Sequence, residues 1–525
     1  MEKQKKMHFL LPLFTALFSC SLFAQGENLV KKTSSFANLE TLFGNYVVSP
    51  MAKVLFFDVA FFTDSVNIPF IVMWLVLGAA FLTVRMGFIN FRAFKHAILV
   101  TMGKYDNPND PGEISHFQAL SSALSATVGL GNIAGVAVAV GVGGPGAVFW
   151  MVIAGLLGMS SKFAECTLGV MYRKVDKNGH ISGGPMRYLA DGLKEKGMPK
   201  LGKGLAVAFS IMCIGGSMGG GSMFQANQAF AAITTVAPSF AKYDWLFGLI
   251  LAALVGLVII GGIKRIGSAA GVIVPFMCLL YVGASVWILI ANASLVPAAF
   301  SYIFSQAFTP SAGYGGLIGV LIIGFRRAAF SNEAGIGSAA IAHSAASTDE
   351  PVREGIVALL EPFIDTIVIC TMTGLVVVVT GVYSGEYGSG VLMTTAAFRT
   401  TIPWFSNILA FAVLLFAFST MISWSYYGER SFSYLFGNKH TIVYRVIFLF
   451  SVFFGSVFSL GQVLDFSDLM VLGMAFPNIL GVLILSGKVK LALNDYWDRY
   501  TSGKMLVSSP STEKVYAQNT GASAQ

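Results

Sequence analysis

The sequence predicts an all-α polytopic membrane protein with about eleven transmembrane helices after a signal peptide: one leading helix, then a 5+5 inverted repeat with broken first and sixth core helices. Three observations carry this reading. Mean hydropathy is +0.71, hydrophobic residues are 55% of the 525, and charged residues are 11%, about half the usual share of a soluble domain. Apolar runs of about 20 residues, enough to cross a bilayer as a helix, recur along the chain. Two of those runs are interrupted by a Gly-x-Gly step, at Gly129 and Gly131 and again at Gly335 and Gly337.

Taken in order, Lys3, Lys5 and Lys6 precede the apolar run 8–23 and the small residues Ala24 and Gly26, as in a secretory signal peptide over 1–24. An uncleaved anchor helix is the alternative. Residues 25–67 are expected outside, with 50–63 interfacial because Phe56, Phe57, Phe61 and Phe62 make it amphipathic. The membrane domain, 68–490, holds spans near 68–86, 116–141, 146–170, 204–236, 245–261, 266–291, 316–343, 354–381, 404–427, 441–462 and 467–486. Basic residues collect in every second connection, from Arg85–Lys104 and Arg173–Lys203 to Lys488 and Lys490, while 292–315 and 463–466 read as external loops. By the positive-inside rule the mature N-terminus is external and the C-terminus cytoplasmic, in a cell (inner) membrane. Without the first span, ten helices divide into 116–291 and 316–486. Each half opens with a broken helix, and an odd number per half inverts the second relative to the first. Residues 491–525 lack periodicity and read as a disordered cytoplasmic tail.

The same features exclude other classes. The net charge of +8 sits between apolar runs, where orientation explains it better than nucleic acid does. The five cysteines show no CxxC or metal spacing, and the six histidines form no HExxH motif. The chain is therefore not expected to be an enzyme or to hold a resident cofactor. An ion channel, the different-class alternative, would need a filter repeated per subunit.

A Gly-x-Gly step in a membrane helix frees backbone groups that hydrocarbon cannot satisfy. The N–H groups of Leu130, Gly131 and Asn132 open the second half of the first broken helix, where donors and dipole favour a carboxylate. The carbonyls of Ser125, Ala126, Thr127 and Val128 end the preceding half and suit a hard cation such as sodium. Before the second break stand Arg326, Arg327 and Glu333, costly inside an apolar run. Arg326 and Glu333, two turns apart, are expected to form a structural ion pair or helix-end anchor, with direct substrate contact as the alternative. Ser419, Thr420, Ser423 and Trp424 cluster on one span, offering hydroxyls for a cation and an indole to wall a pocket. Gln225 follows the glycine-rich stretch 215–221 and can reach a cavity. Glu361 and Asp365 are expected near a cytoplasmic helix end, in gate or helix-end roles.

Thr127-Val128-Gly129-Leu130-Gly131-Asn132-Ile133-Ala134-Gly135, Gly143-Gly144-Pro145-Gly146, Gly183-Gly184-Pro185-Met186 and Phe330-Ser331-Asn332-Glu333-Ala334-Gly335-Ile336-Gly337-Ser338 resemble the bacterial alanine/glycine:cation symporter family over about 68–490. The resemblance implies sodium-coupled import of alanine or glycine by alternating access on the leucine-transporter-type fold. It assigns the amides of Leu130 and Gly131 to the substrate carboxylate, and Gln225, Phe330, Thr420 and Trp424 to the substrate pocket. It assigns sodium to Ser125, Val128, Ser419 and Thr420, with a second position at Thr127 and Asn132. Arg187 and Ala340-Ile341 depart from the family's pattern, away from these positions. Proton coupling, or another small amino-acid permease of the same fold, stays open, as do the oligomeric state and stoichiometry.

Overall fold

The computed structural model describes residues 41–59, 68–107, 109–175, 180–260, 262–308, 316–385 and 389–505. The expected signal peptide at 1–24 lies outside these residues, as do Phe61 and Phe62 of the interfacial stretch and the tail beyond 505.

The chain is almost entirely helical. The leading helix α1 (Phe70–Arg85) is followed by α2 (His116–Thr127), whose start is fixed by a capping box. The Ser115 hydroxyl accepts from the Gln118 N–H, and the Gln118 side chain accepts from the Ser115 N–H. After a break, the turn Gly131–Gly135 leads into α3 (Val136–Gly143). Pro145 starts α4 (Gly146–Met171); then come α5 (Pro199–Val236), α6 (Asp244–Ile259) and α7 (Gly262–Ala291). The second broken helix is α8 (Gly316–Asn332) with α9 (Ala339–His343), and α10 (Pro351–Val379) follows it. Last come α11 (Ser406–Phe436), α12 (Thr441–Val457), α13 (Leu460–Gly473) and α14 (Ala475–Thr501). A two-residue antiparallel hairpin, with Lys174 opposite Ser182, joins α4 to α5.

Among the described residues, seven helices are long and apolar enough to cross a membrane, or eight if α2 and α3 form one bent span. Helices α1 and α6 are shorter apolar helices, and with α8 they fall on the other expected spans. Two boundaries differ from expectation. Residues 463–466 lie inside α13 rather than in a loop, and the turn from α12 is at Phe458 and Ser459. The stretch read as an external loop because it lacks basic residues, but it is helical, and Asp468 one turn on is buried against two arginines. Likewise α14 continues to Thr501, past residue 490 where the tail was expected to begin, with Tyr496 buried and hydrogen-bonded to His96 at 2.8 Å.

Helix α4 is the inner post. It packs on α8, α10, α1 and α9, while α5 packs on α11 and α13. Small residues let these helices approach: a Cβ on Gly324 of α8 would lie 2.6 Å from the Trp150 Cβ, and one on Gly374 of α10 would lie 2.7 Å from a Val148 methyl. Both broken helices are thereby enclosed by protein, the only setting in which unwound backbone is tolerated at membrane depth.

Candidate functional site

The first break lies where the sequence places it. Helix α2 ends at Thr127, Val128 turns to ψ 82°, and the two halves are bent by 49°. Its freed donors find side chains: the Gly129 N–H donates to the Asn132 Oδ1 at 2.9 Å and the Leu130 N–H to the Gln225 Oε1 at 3.1 Å. Neither glycine has positive φ. Their requirement is space, because a Cβ on Gly129 would strike the Thr420 hydroxyl and one on Gly131 would sit 3.2 Å from the Ser331 Cα.

The second break is a different object. Glu333, Gly335 and Gly337 have φ of 56°, 82° and 93°, a left-handed stretch that only glycine enters freely. The Gly335 carbonyl accepts from Asn478 of α14 at 2.8 Å, and the Ala334 N–H donates to the Asn332 Oδ1 at 2.9 Å.

Between the breaks is a small, nearly closed pocket of about 10 Å³ lined by Ala126, Thr127, Gly131, Gly220, Gln225, Phe330, Glu333, Trp424 and Val471. Gly220 and Gly221 sit in the widened turn Gly219–Met223 of α5; a Cβ on Gly220 would lie 3.4 Å from the Phe330 ring, and one on Gly221 2.6 Å from the Trp424 Cγ. The glycine-rich stretch therefore lets two aromatic walls close on the pocket. Gln225 is held by donating to the Gly220 carbonyl at 2.9 Å.

Of the residues the sequence singles out, Gly131, Thr127, Gln225, Phe330 and Trp424 meet at this pocket. Leu130 is buried beside it through its N–H. Thr420 is buried against Gly129, and its hydroxyl has no hydrogen-bond partner. Ser125 donates to the Ser419 carbonyl at 2.8 Å, joining α2 to α11 next to Val128. An orphaned hydroxyl beside a helix terminus is the kind of oxygen a hard cation takes. Asn132 does not line the pocket. Its amide donates to Asp365 of α10, at 2.5 Å to Oδ1 and 3.0 Å to the carbonyl.

Three expectations are corrected. Arg326 does not pair with Glu333: Arg326 at 2.6 Å and Arg327 both bond to Asp468, and Arg326 also stacks 4.6 Å over Phe56. The break between Asn332 and Ala339 removes the continuous helical face that would have joined them. Glu333 instead lines the pocket, accepting from the Trp424 Nε1–H at 2.9 Å and from the Ser338 hydroxyl. Asp365 is no helix-end residue. It lies in the widened turn Phe363–Cys370 and accepts from Asn132, from Ser331 at 3.0 Å and from Thr366 at 2.7 Å, touching both broken helices. Gly220 and Val471 were missed; a valine in an apolar span carries no signal.

The fold and this enclosed polar centre define a multi-pass membrane protein. Residues 53–509 match the sodium:alanine symporter family. The chain is 44% identical over 425 residues to the sodium/alanine symporter AgcS of Methanococcus maripaludis, covering 80% of this chain and 92% of that one. It is 35% identical over 437 residues to GlnT of Bacillus subtilis, named a probable sodium/glutamine symporter, covering 83% and 89%. The chain belongs to the sodium:alanine symporter family. A solved structure of MhsT in complex with L-phenylalanine is similar at 16% identity with a TM-score of 0.49, over 73% of this chain and 99% of that one.

Proposed function

We propose that the protein is a sodium-coupled symporter of a cell (inner) membrane that imports alanine or glycine by alternating access. The observation that carries this is the pocket between the two breaks, where a helix N-terminus and a buried carboxylate face one small volume. A zwitterion fits such a pair. Its carboxylate goes to the N–H groups of Leu130 and Gly131, with the Gln225 Oε1 moving off the Leu130 N–H it now occupies, and its ammonium goes to Glu333. Phe330 and Trp424 bound the side-chain end, where they would exclude side chains larger than a hydrogen or a methyl group by overlap.

Sodium is cargo and coupling ion together. The Val128 carbonyl with Ser125, Ser419 and the unpartnered Thr420 hydroxyl suits one ion, beside the Gly129 backbone that Thr420 packs on. A second position lies at Asn132 and Thr127, where Asp365 supplies negative charge; among the described residues no Lys, Arg or His pairs with Asp365. Coupling requires sodium to bind the substrate-accepting state more tightly than the other, because equal affinity shifts nothing. Sodium at Val128 and Thr420 meets this by fixing the break that presents the amides.

Uptake of labelled alanine and glycine into proteoliposomes, with sodium, potassium and proton gradients imposed in turn, tests the reading. Accumulation is expected to follow the sodium gradient and to be weaker for larger amino acids. Accumulation driven by protons without sodium would transfer the protein to the proton-coupled alternative, and single-channel current steps would make it a channel.

A further inference from the structure

A second buried polar cluster lies away from the pocket and joins the outer ends of the two broken helices. Glu354 of α10 accepts from the Nδ1 of His116, the first residue of α2, and lies 2.5 Å from the Nδ1 of His343, the last residue of α9. One carboxylate thus ties together the termini of both half-helices on the face that carries the basic connections. The backbone closes the same seam: the Glu113 N–H donates to the Ala345 carbonyl and the Ser347 N–H to the Ile114 carbonyl, each at 2.8 Å. Arg173 spends its donors on the carbonyls of Pro111, Ser344, Ala346 and Thr348 at 2.6–2.8 Å.

Both histidines have carboxylates at both ring nitrogens. The His343 Nε2 is 3.7 Å from Glu361, and the His116 Nε2 is 3.8 Å from Asp106, the half-exposed end of the chain of contacts. Neither Nε2 has a hydrogen-bond partner at that distance, but a neutral imidazole would turn a lone pair toward the second carboxylate, whereas imidazolium presents an N–H and a positive charge to it. The remaining neighbours fit that charge. Glu361 accepts from Lys162 of α4 at 2.8 Å, Glu165 accepts from Asn478 at 2.8 Å, and all six ionisable groups, His116, His343, Lys162, Glu165, Glu354 and Glu361, are buried. Lys162 and two imidazolium ions balance Glu165, Glu354 and Glu361. Loss of either proton leaves an uncompensated charge out of water. Cys166 and Tyr427 also face the cluster, as does Glu333 from the pocket side of Lys162.

We propose that His116, Glu354 and His343 form a proton-held latch on the basic, inward face, so that cargo release is controlled by the pH on that side. The proposal rests on the transport reading above and adds a control that reading does not require. While both histidines are protonated, Glu354 holds α2 and α9 together. Deprotonation gives the proton to water through Asp106 and frees the seam to part.

Hydrogen exchange of the full chain in proteoliposomes, corrected for intrinsic pH dependence, reads the latch directly at 113–127 and 339–347. As pH rises from neutral into the alkaline range, where His343 loses the second proton that its flanking carboxylates hold, protection of both segments is expected to fall by about tenfold. In His343→Gln, protection is expected to be low and insensitive to pH, and His116→Gln gives the same result should the first variant fail to insert. A wild-type profile flat with pH, or either variant keeping the wild-type slope, overturns the latch. Sodium-driven alanine uptake in the same vesicles separates the two readings: uptake without pH-dependent protection sinks the latch alone, and pH-dependent protection without uptake sinks the transport reading alone.

Discussion

The two breaks share one sequence pattern and reach the pocket by different physics. At Gly129 and Gly131 the backbone stays at ordinary φ, and glycine is needed because Thr420 and Ser331 stand where a Cβ would go. At Gly335 and Gly337 the backbone is left-handed, and glycine is needed for conformation as well as space. The first break is therefore a site of close approach. The second is a shaped loop that aims Glu333 into the pocket and is held by Asn478. A repeated motif does not imply a repeated role.

Substitutions can break this contrast. The largest effect is expected for Gly131→Val, whose side chain enters the space between Gly131 and Ser331: alanine uptake should fall by about 100-fold or more, with membrane insertion kept and a stability loss of about 1–3 kcal/mol from overpacking. Wild-type uptake would remove the amides from the substrate site. Next is Asp468→Asn, which strands Arg326 and Arg327 on the helix leading to the second break. Breaking a buried pair from one side costs roughly 3–5 kcal/mol, measurable as a lower unfolding temperature in detergent.

Gly335→Ala should cost about 1–2 kcal/mol through its left-handed φ, and Gly335→Asn less. Gly131→Ala should show the opposite signature, with uptake lowered and stability nearly kept. If both alanine variants act on stability alone, the two breaks do not differ as described. Trp424→Phe removes the donor from Glu333 and leaves a buried acceptor short by about 1–3 kcal/mol, read as weaker alanine binding. The smallest effect expected is for Thr420→Val, about tenfold in the sodium concentration for half-maximal uptake, or about 1.4 kcal/mol.

Much of this was legible along the chain. The spans follow from apolar runs and the first break from glycine and polar residues interrupting them, while Gln225, Phe330 and Trp424 were placed at the pocket by the family resemblance. What stayed hidden was pairing. Arg326 and Glu333 are seven positions apart, and nothing local says that one turns to Asp468 and the other to Trp424. Asp365 looked like a helix end because Glu361 and Pro362 precede it; the widened turn Phe363–Cys370 carries it between the breaks. Asp468 gave no sign of its partners, because its neutralising arginines are far away in sequence.

Composition and periodicity by themselves determined that this chain is a helical membrane protein and where its helices must fail, since hydrocarbon penalises every unpaired peptide group and glycine marks where helices lose them. Only the tertiary structure decided which buried charges meet, which glycine is needed for space and which for φ, and that one glutamate joins the ends of both broken helices. Those outcomes depend on contacts between residues hundreds of positions apart, and electrostatics and packing act on distance in space.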